Sequence, residues 1–367
     1  MTDRPRSRFR ATPSLALRRL EELPEEHRTA LRELQEDADF YGVLVPLDAA
    51  ATLKAVARET AELFLSLQTP ASLGVVDEDT IDLVLDGILE VEHDGRFVSG
   101  AEAFPVFFPA ANPRPDTLST DALRHAEELE TRDVGTLTSA LYSYNRLPRT
   151  RAWVTRFPDR DSVLAHLGSS PLLARHWKLV PEEKSRGWIS WAANAGMAAK
   201  ADAVTWKLYV SPRPEHVREA FHALVRVLAE IPGSQMKIGT DAAGLLRPDK
   251  MVAYFATRGD LDIAAKTLAG ELRGCAAHGV PFTAAVDEHG LLSWGADPPD
   301  SERALSWLDR ESWRLWVVKS LAGALSIAKR SAHPPVAPWQ FAMERVRRLG
   351  VDVDTWMPAD SLWRPVA

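Results

Sequence analysis

Between residues 205 and 239 the chain reads TWKLYVSPRPEHVREAFHALVRVLAEIPGSQMKIG, and the spacing of its apolar residues changes twice along that stretch. TWKLYV alternates, so an extended strand puts Trp206, Leu208 and Val210 on one side and Lys207 and Tyr209 on the other. SPRPEH breaks the strand and places proline near a helix start, after which Val217, Ala220, Phe221, Leu224, Val225 and Leu228 recur as one helical stripe. PGS ends that helix, and QMKIG predicts a second short strand containing Lys237. Strand, helix and strand form a crossover unit whose two strands can lie parallel in one sheet. Neighbouring strands lie about 4.8 Å apart, so a suitable register brings Lys207, Tyr209 and Lys237 onto one surface.

Downstream, GTDAAGLLRPDKMVAYF puts Arg247 and Lys250 in a turn ahead of a strand-like run that holds Tyr254. RESWRLWVVKSLAGALSIAKR then predicts an amphipathic helix bearing Arg310, Arg314 and Lys319. Upstream, from Pro24 to about Leu67, ELPEEHRTALRELQ and DAAATLKAVARETAELFLSL place apolar residues at helical spacing, which predicts a helical N-terminal region. DEDTIDLVLDGILEVEHDGRFVSG reads as a short helix ending near Gly87, followed by two strands joined by a tight hairpin at HDGR. A helix followed by a hairpin resembles a winged-helix element. It serves either as a structural cap or as a surface that takes up a peptide or partner protein along a strand edge. PVFFPAANPRPDTL, residues 105 to 118, is proline-rich and predicts loop, and the basic, proline-broken NRLPRTRAWVTRFPDRD marks a boundary. We place it near Leu147, giving a region of residues 1–147 and a domain of residues 148–367.

Composition narrows the possible chemistries. At 367 residues, 46% apolar and 26% charged, the chain has an ordinary globular balance and enough length for one large or two ordinary domains. A net charge of −7 argues against a general nucleic-acid or anionic-membrane binder, so any phosphate site must be local. No run of about eighteen apolar residues predicts a membrane span. Charged residues interrupt the arginine-bearing N-terminus before a signal-length apolar run develops, so no export signal is expected. Cys275 is the single cysteine, which excludes an internal disulfide and a zinc site made of cysteines, and fits a reducing cytoplasm. His216, His222, His278 and His289 lack metal-ligand spacing and read as surface or core residues. Trp294, Trp307, Trp313, Trp316, Trp339, Trp356 and Trp363 crowd the C-terminal third, either as core or as a peptide groove. The three-residue step between Trp313 and Trp316 favours packing.

Lysines and arginines on such elements usually form a solvated face. Two strand lysines with further cations close by suggest instead an anion site, with arginine gripping phosphate through its fork and lysine acting as a point charge.

WKLYVS, the helix, VLAEIPGSQMKI and then LLRPDKMVAYF resemble the phosphoserine/phosphothreonine lyase domains of lanthipeptide synthetases and the related type III effector phosphothreonine lyases. The resemblance spans about residues 200 to 320 and extends to the stand-alone lyases of class V lanthipeptide and thioamitide pathways. It implies an α+β protein in which a helical, winged-helix-like region precedes a mixed α/β phosphothreonine-lyase-like domain. It also implies β-elimination of phosphate from a phosphorylated precursor peptide, with Lys237 as the base and Lys207 stabilising the enolate. Tyr209 stands where the family has a histidine that helps the leaving group. Arg247 is the first candidate for the phosphate clamp, ahead of Arg314 and Arg310, with Lys250 and Tyr254 as further substrate contacts. No metal and no organic cofactor are implied. A separate Ser/Thr peptide kinase is the implied partner, since the chain carries no kinase-like glycine loop. A non-catalytic scaffold that binds kinase and precursor, and a stand-alone lanthionine cyclase, are the competing readings.

Overall fold

The structure is a computed structural model that describes residues 7–47, 52–73, 76–108, 117–185, 187–194, 204–298, 311–331 and 333–359. Alternation in the central part of the chain produces a seven-stranded sheet. Its strands are β1 (Trp177–Leu179), β2 (Trp188–Ala193), β3 (Trp206–Val210), β4 (Gln235–Gly239), β5 (Met251–Phe255), β6 (Ala284–Ala285) and β7 (Leu292–Ala296). Their spatial order is β6-β7-β3-β5-β4-β2-β1, and every neighbouring pair is antiparallel.

The two lysine strands run parallel, but they are not neighbours, because β5 lies between them and pairs antiparallel with both. After β4 the chain turns through a short helix, Ala242–Leu245, capped by the Asp241 side chain, and returns directly alongside. A short loop makes that local antiparallel pairing entropically cheap, and β3 then takes the far edge of β5.

Leu208, Ala253, Met236 and Trp191 form one row across β3, β5, β4 and β2. Their face packs into a core with two helices, Val217–Ala229 and Arg258–Glu271. Val217, Ala220, Phe221, Leu224, Val225 and Leu228 are all buried there, as their helical stripe predicts.

Four other helices pack together, α1 (Thr117–Glu128), α2 (Val134–Ser143), α3 (Trp313–Ala328) and α4 (Pro338–Arg348), and α3 contacts β7 of the sheet. A second core joins Leu123 and Leu141 to Val317, Leu321, Phe341 and Val346, and so draws on residues from both sides of Leu147. Trp313, at the start of α3, is fully buried against Gly295 of β7, in the space that a side chain at that glycine would need. Trp313 and Trp316 pack with ring centroids 5.6 Å apart.

The N-terminal region is less helical than its spacing predicts. Helices do form at Glu25–Ala30 and Arg58–Ser66. Phe40–Pro46 and Lys54–Ala57, however, are strands of a three-stranded sheet with Leu15–Arg18. FYGVLVP is rich in aromatic and β-branched residues, and that composition overrides the coincidental helical spacing. Residues 48–51 of the same stretch lie outside the described residues. The helix Glu78–Leu85 and the hairpin of Leu89–His93 with Arg96–Val98 match the winged-helix-like expectation, and Arg8–Ala11 adds a strand against the hairpin. Asp94 at φ 50° and Gly95 at φ 75° form the tight turn that Asp-Gly favours. Residues 109–116 of the proline-rich stretch, Arg310, Trp307 and Trp363 also lie outside the described residues. Among the described residues no helix is long and apolar enough to cross a membrane.

Candidate active site

Strand register builds the site. Lys207 faces Tyr254, which faces Gln235, and one step along Tyr209 faces Val252, which faces Lys237 and then Ser190. Directly opposed residues in antiparallel strands share a face, so both lysines project from the side of the sheet turned away from the first core. The Lys207 and Lys237 Nζ atoms each lie 5.5 Å from the centroid of the Tyr254 ring, which stands between them.

Each cation has a distinct anchor. Lys207 is 8% exposed and its Nζ donates to Asp297 Oδ1 at 2.5 Å. Asp297 follows β7 and also accepts from the Trp313 backbone N–H at 3.2 Å, tying Lys207 to the first turn of α3. Lys237 Nζ sits 4.2 Å above the Trp188 ring, and the Arg247 guanidinium lies 4.8 Å from the same ring. Arg247 grips Asp249 with two bonds of 2.9 Å, while the Tyr142 hydroxyl donates to Asp249 Oδ2 at 3.1 Å. A second arginine, Arg314, brings Nη1 to 3.3 Å from the same carboxylate oxygen. Lys207, Arg247 and Arg314 thus face Asp249 and Asp297, which leaves one net positive charge before Lys237 is counted.

Burial sets the proton affinities. Lys237 is lowered to about 8, first because it is buried and next because Lys207 is close, with Asp249 pulling the other way. A sizeable share of this amine is therefore neutral just above neutral pH. The Asp249 carboxyl is held well below the usual carboxylate range, since Arg314 and Arg247 outweigh the burial that opposes them. Burial pushes the Tyr209 and Tyr254 hydroxyls upward, so both remain protonated and able to donate a hydrogen bond. A cavity of about 400 Å³ opens beside Lys237, lined by Lys184, Trp188, Ser190, Gln235 and Tyr254 among others.

Five of the residues singled out in the sequence therefore meet on one face: Lys207, Tyr209, Lys237, Arg247 and Tyr254. Arg314 does not reach that surface. It is 1% exposed, and it donates to the Tyr142 and Pro281 carbonyls at 2.8 and 3.2 Å as well as facing Asp249. Lys250 is fully buried behind the site. There its Nζ donates to His278 Nδ1 at 2.7 Å, and His278 Nε2 donates to the Asn145 carbonyl at 2.5 Å. Burial lowers Lys250 to about 7 and His278 to about 4. Arg310 lies outside the described residues.

Asp249, Asp297, Trp188 and Tyr142 belong to the site and were not legible as such. Arg146 is a fifth addition, its proton affinity lowered first by partial burial and then by the nearby Arg247. The basic run NRLPRTR, which marks the boundary near Leu147, carries its signal.

No family model matches the sequence, and no curated protein matches it. Among solved structures the chain is similar to the effector protein from Pseudomonas syringae pv. syringae strain 61, at 11% identity and a TM-score of 0.39, covering 66% of this chain and 98% of that one. It is also similar to the type III effector/phosphothreonine lyase OspF from Shigella flexneri, at 16% identity and a TM-score of 0.28, covering 44% and 90%. A third likeness is to the VirA (SpvC) phosphothreonine lyase effector protein of Chromobacterium violaceum, at 14% identity and a TM-score of 0.29, covering 48% and 86%. Likenesses this distant carry no chemistry across, and the side chains of the site bear the functional reading.

Proposed function

We propose that this face of the sheet is the active site of a phosphate-eliminating lyase. Its substrate is a peptide phosphorylated on serine or threonine, and its product is a dehydroalanine or dehydrobutyrine residue. The single observation that carries the proposal is Lys237, a half-buried lysine lowered to about 8 beside a second, carboxylate-anchored lysine and an arginine fork.

In the reaction, neutral Lys237 removes the α-proton, the electron pair of the Cα–H bond forms the Cα–Cβ double bond, and the Cβ–O bond breaks as phosphate leaves with its pair. Lys207, held as an ammonium partner of Asp297, stabilises negative charge on the substrate carbonyl. Arg247 holds the phosphate dianion, its orientation fixed by Asp249. Tyr209 supports the leaving group as a hydrogen-bond donor, because its buried phenol is a weaker acid than an imidazolium. A clamped phosphate dianion needs little protonation to depart. The resemblance read in the sequence supports a precursor peptide of a lanthipeptide-type pathway, phosphorylated by a separate kinase, as the physiological substrate.

Mass spectrometry of a phosphoserine- and phosphothreonine-containing peptide incubated with the purified chain tests the proposal. Loss of phosphoric acid with the wild type and none with Lys237→Ala is the expected result. An intact phosphopeptide that stays bound to the wild type would favour the scaffold reading instead, and thioether formation on a dehydrated peptide would favour the cyclase.

A further inference from the structure

On the far side of the sheet from the lysines, three metal-binding side chains of different chemistry meet. Among the described residues, His216, Glu219 and Cys275 place one ligand atom each within 4.8 Å of one another. Two segments separated by more than fifty residues supply them. His216 and Glu219 lie at the start of the helix Val217–Ala229, three apart and therefore on one face, with His216 Nδ1 3.3 Å from Glu219 Oε2. Cys275 comes from the loop that follows the helix Arg258–Glu271.

The backbone fixes this meeting. Arg213 donates to the Ala276 carbonyl at 2.8 Å, and Pro212 bridges Ala277, so the cysteine loop is docked against the residues just before His216. His216 in turn donates its backbone N–H to the Arg213 carbonyl at 2.9 Å, and Cys275 donates its own to the Leu272 carbonyl at 2.9 Å. Cys275 is buried, His216 is partly exposed and Glu219 is exposed, so the cluster is anchored on the protein side and open to solvent on the other.

We infer that His216, Glu219 and Cys275 form a zinc-binding site. Imidazole, carboxylate and thiolate are the three donor types that zinc combines, and one thiolate with one carboxylate neutralises a divalent ion. Bond lengths of about 2.0 to 2.3 Å in a tetrahedron require ligand atoms roughly 3.3 to 3.8 Å apart. The histidine–glutamate pair already meets that spacing at 3.3 Å, and all three ligand atoms lie within 4.8 Å of one another. Zinc replaces the thiol proton, which is released to solvent. The fourth position is left to water. The ion clips the start of the helix to the loop 275–278, the same loop that carries His278 against Lys250. A mixed donor set of this kind is distinct from the cysteine-only site that a single cysteine excludes.

The test uses the metal-stripped full chain, titrated with Zn²⁺ against a chromophoric chelator and, separately, with Co²⁺ in an absorption spectrophotometer. The expected result is a single Co²⁺ site showing thiolate-to-metal charge transfer, absent from Cys275→Ser, with Zn²⁺ affinity lowered at least about 10-fold in His216→Ala and in Glu219→Gln. A Co²⁺ spectrum without the thiolate band, or Zn²⁺ affinity unchanged in both of those variants, overturns the assignment. His216 and Glu219 are solvent-facing, so their variants decide the matter even if Cys275→Ser does not fold. None of these readouts depends on phosphate elimination.

Discussion

On one face of the central sheet Leu208, Ala253, Met236 and Trp191 stand in a row, and one residue along, on the other face, Lys207, Tyr254 and Gln235 do the same. Both faces are covered, the first by two helices and an apolar core, the second by the ends of α2 and α3 and a set of charges. Burial acts oppositely on them. It stabilises the apolar row by roughly 25 cal/mol for each Å² removed from water. On the other face it disfavours the charge of Lys237 and lowers its proton affinity. The protein tolerates the second face because Asp249 and Asp297 pair with the cations around it. Among the described cations that reach this surface, Lys237 is left with its charge weakly supported, which is what a general base requires.

If that division of labour holds, substitutions on the two faces should separate activity from stability. Lys237→Ala should lower the turnover of a phosphopeptide by about 10³-fold or more while leaving the thermal midpoint no lower than wild type, as steady-state kinetics and calorimetry will show. Phe221→Ala, in the apolar core, should do the reverse, losing about 3–5 kcal/mol in denaturant unfolding with kcat/KM per folded molecule unchanged. The third contrast is pH. Lys237 must be neutral to act, so kcat/KM should rise as its proton is lost near pH 8, by roughly 10-fold between pH 7 and pH 9, where the substrate phosphate stays dianionic. A lysine of ordinary proton affinity would keep rising well past that range. The smallest effect is on stability. The folded state binds the Lys237 proton less tightly than the unfolded chain does, so wild-type stability grows as pH climbs from about 8 toward the ordinary lysine value near 10.4. Lys237→Met should therefore be more stable than wild type by about 1 kcal/mol below pH 8, with the gap closing at higher pH in parallel denaturation curves.

The sequence made the two faces readable and left their partners hidden. Alternation in TWKLYV and QMKIG assigned Lys207, Tyr209 and Lys237 to polar positions without reference to any other strand. It offered no way to see that β5 lies between them, because strand order follows from how the chain returns after Gly239. Asp249 and Asp297 escaped for the same reason: each sits just outside a strand, where an acidic residue usually means a solvated turn, and only the assembled sheet points them at Arg247 and Lys207. Arg314 misled in the other direction, since a helix position at which α3 contacts both Tyr142 and Pro281 looks in sequence like any exposed cation. In the N-terminal region, apolar residues of two short strands and a helix fell at helical spacing by coincidence, and composition was the better guide at Phe40–Pro46.

The most direct test of Lys237 as an eliminating base is to supply a phosphoserine peptide deuterated at the α-carbon and follow deuterium and phosphate together by mass spectrometry. Elimination requires that the deuterium leave with the phosphate, that turnover slow relative to the protiated peptide when proton abstraction limits the rate, and that both losses vanish in Lys237→Ala. Phosphate released with the deuterium retained would show hydrolysis instead, and would contradict a lyase at this site.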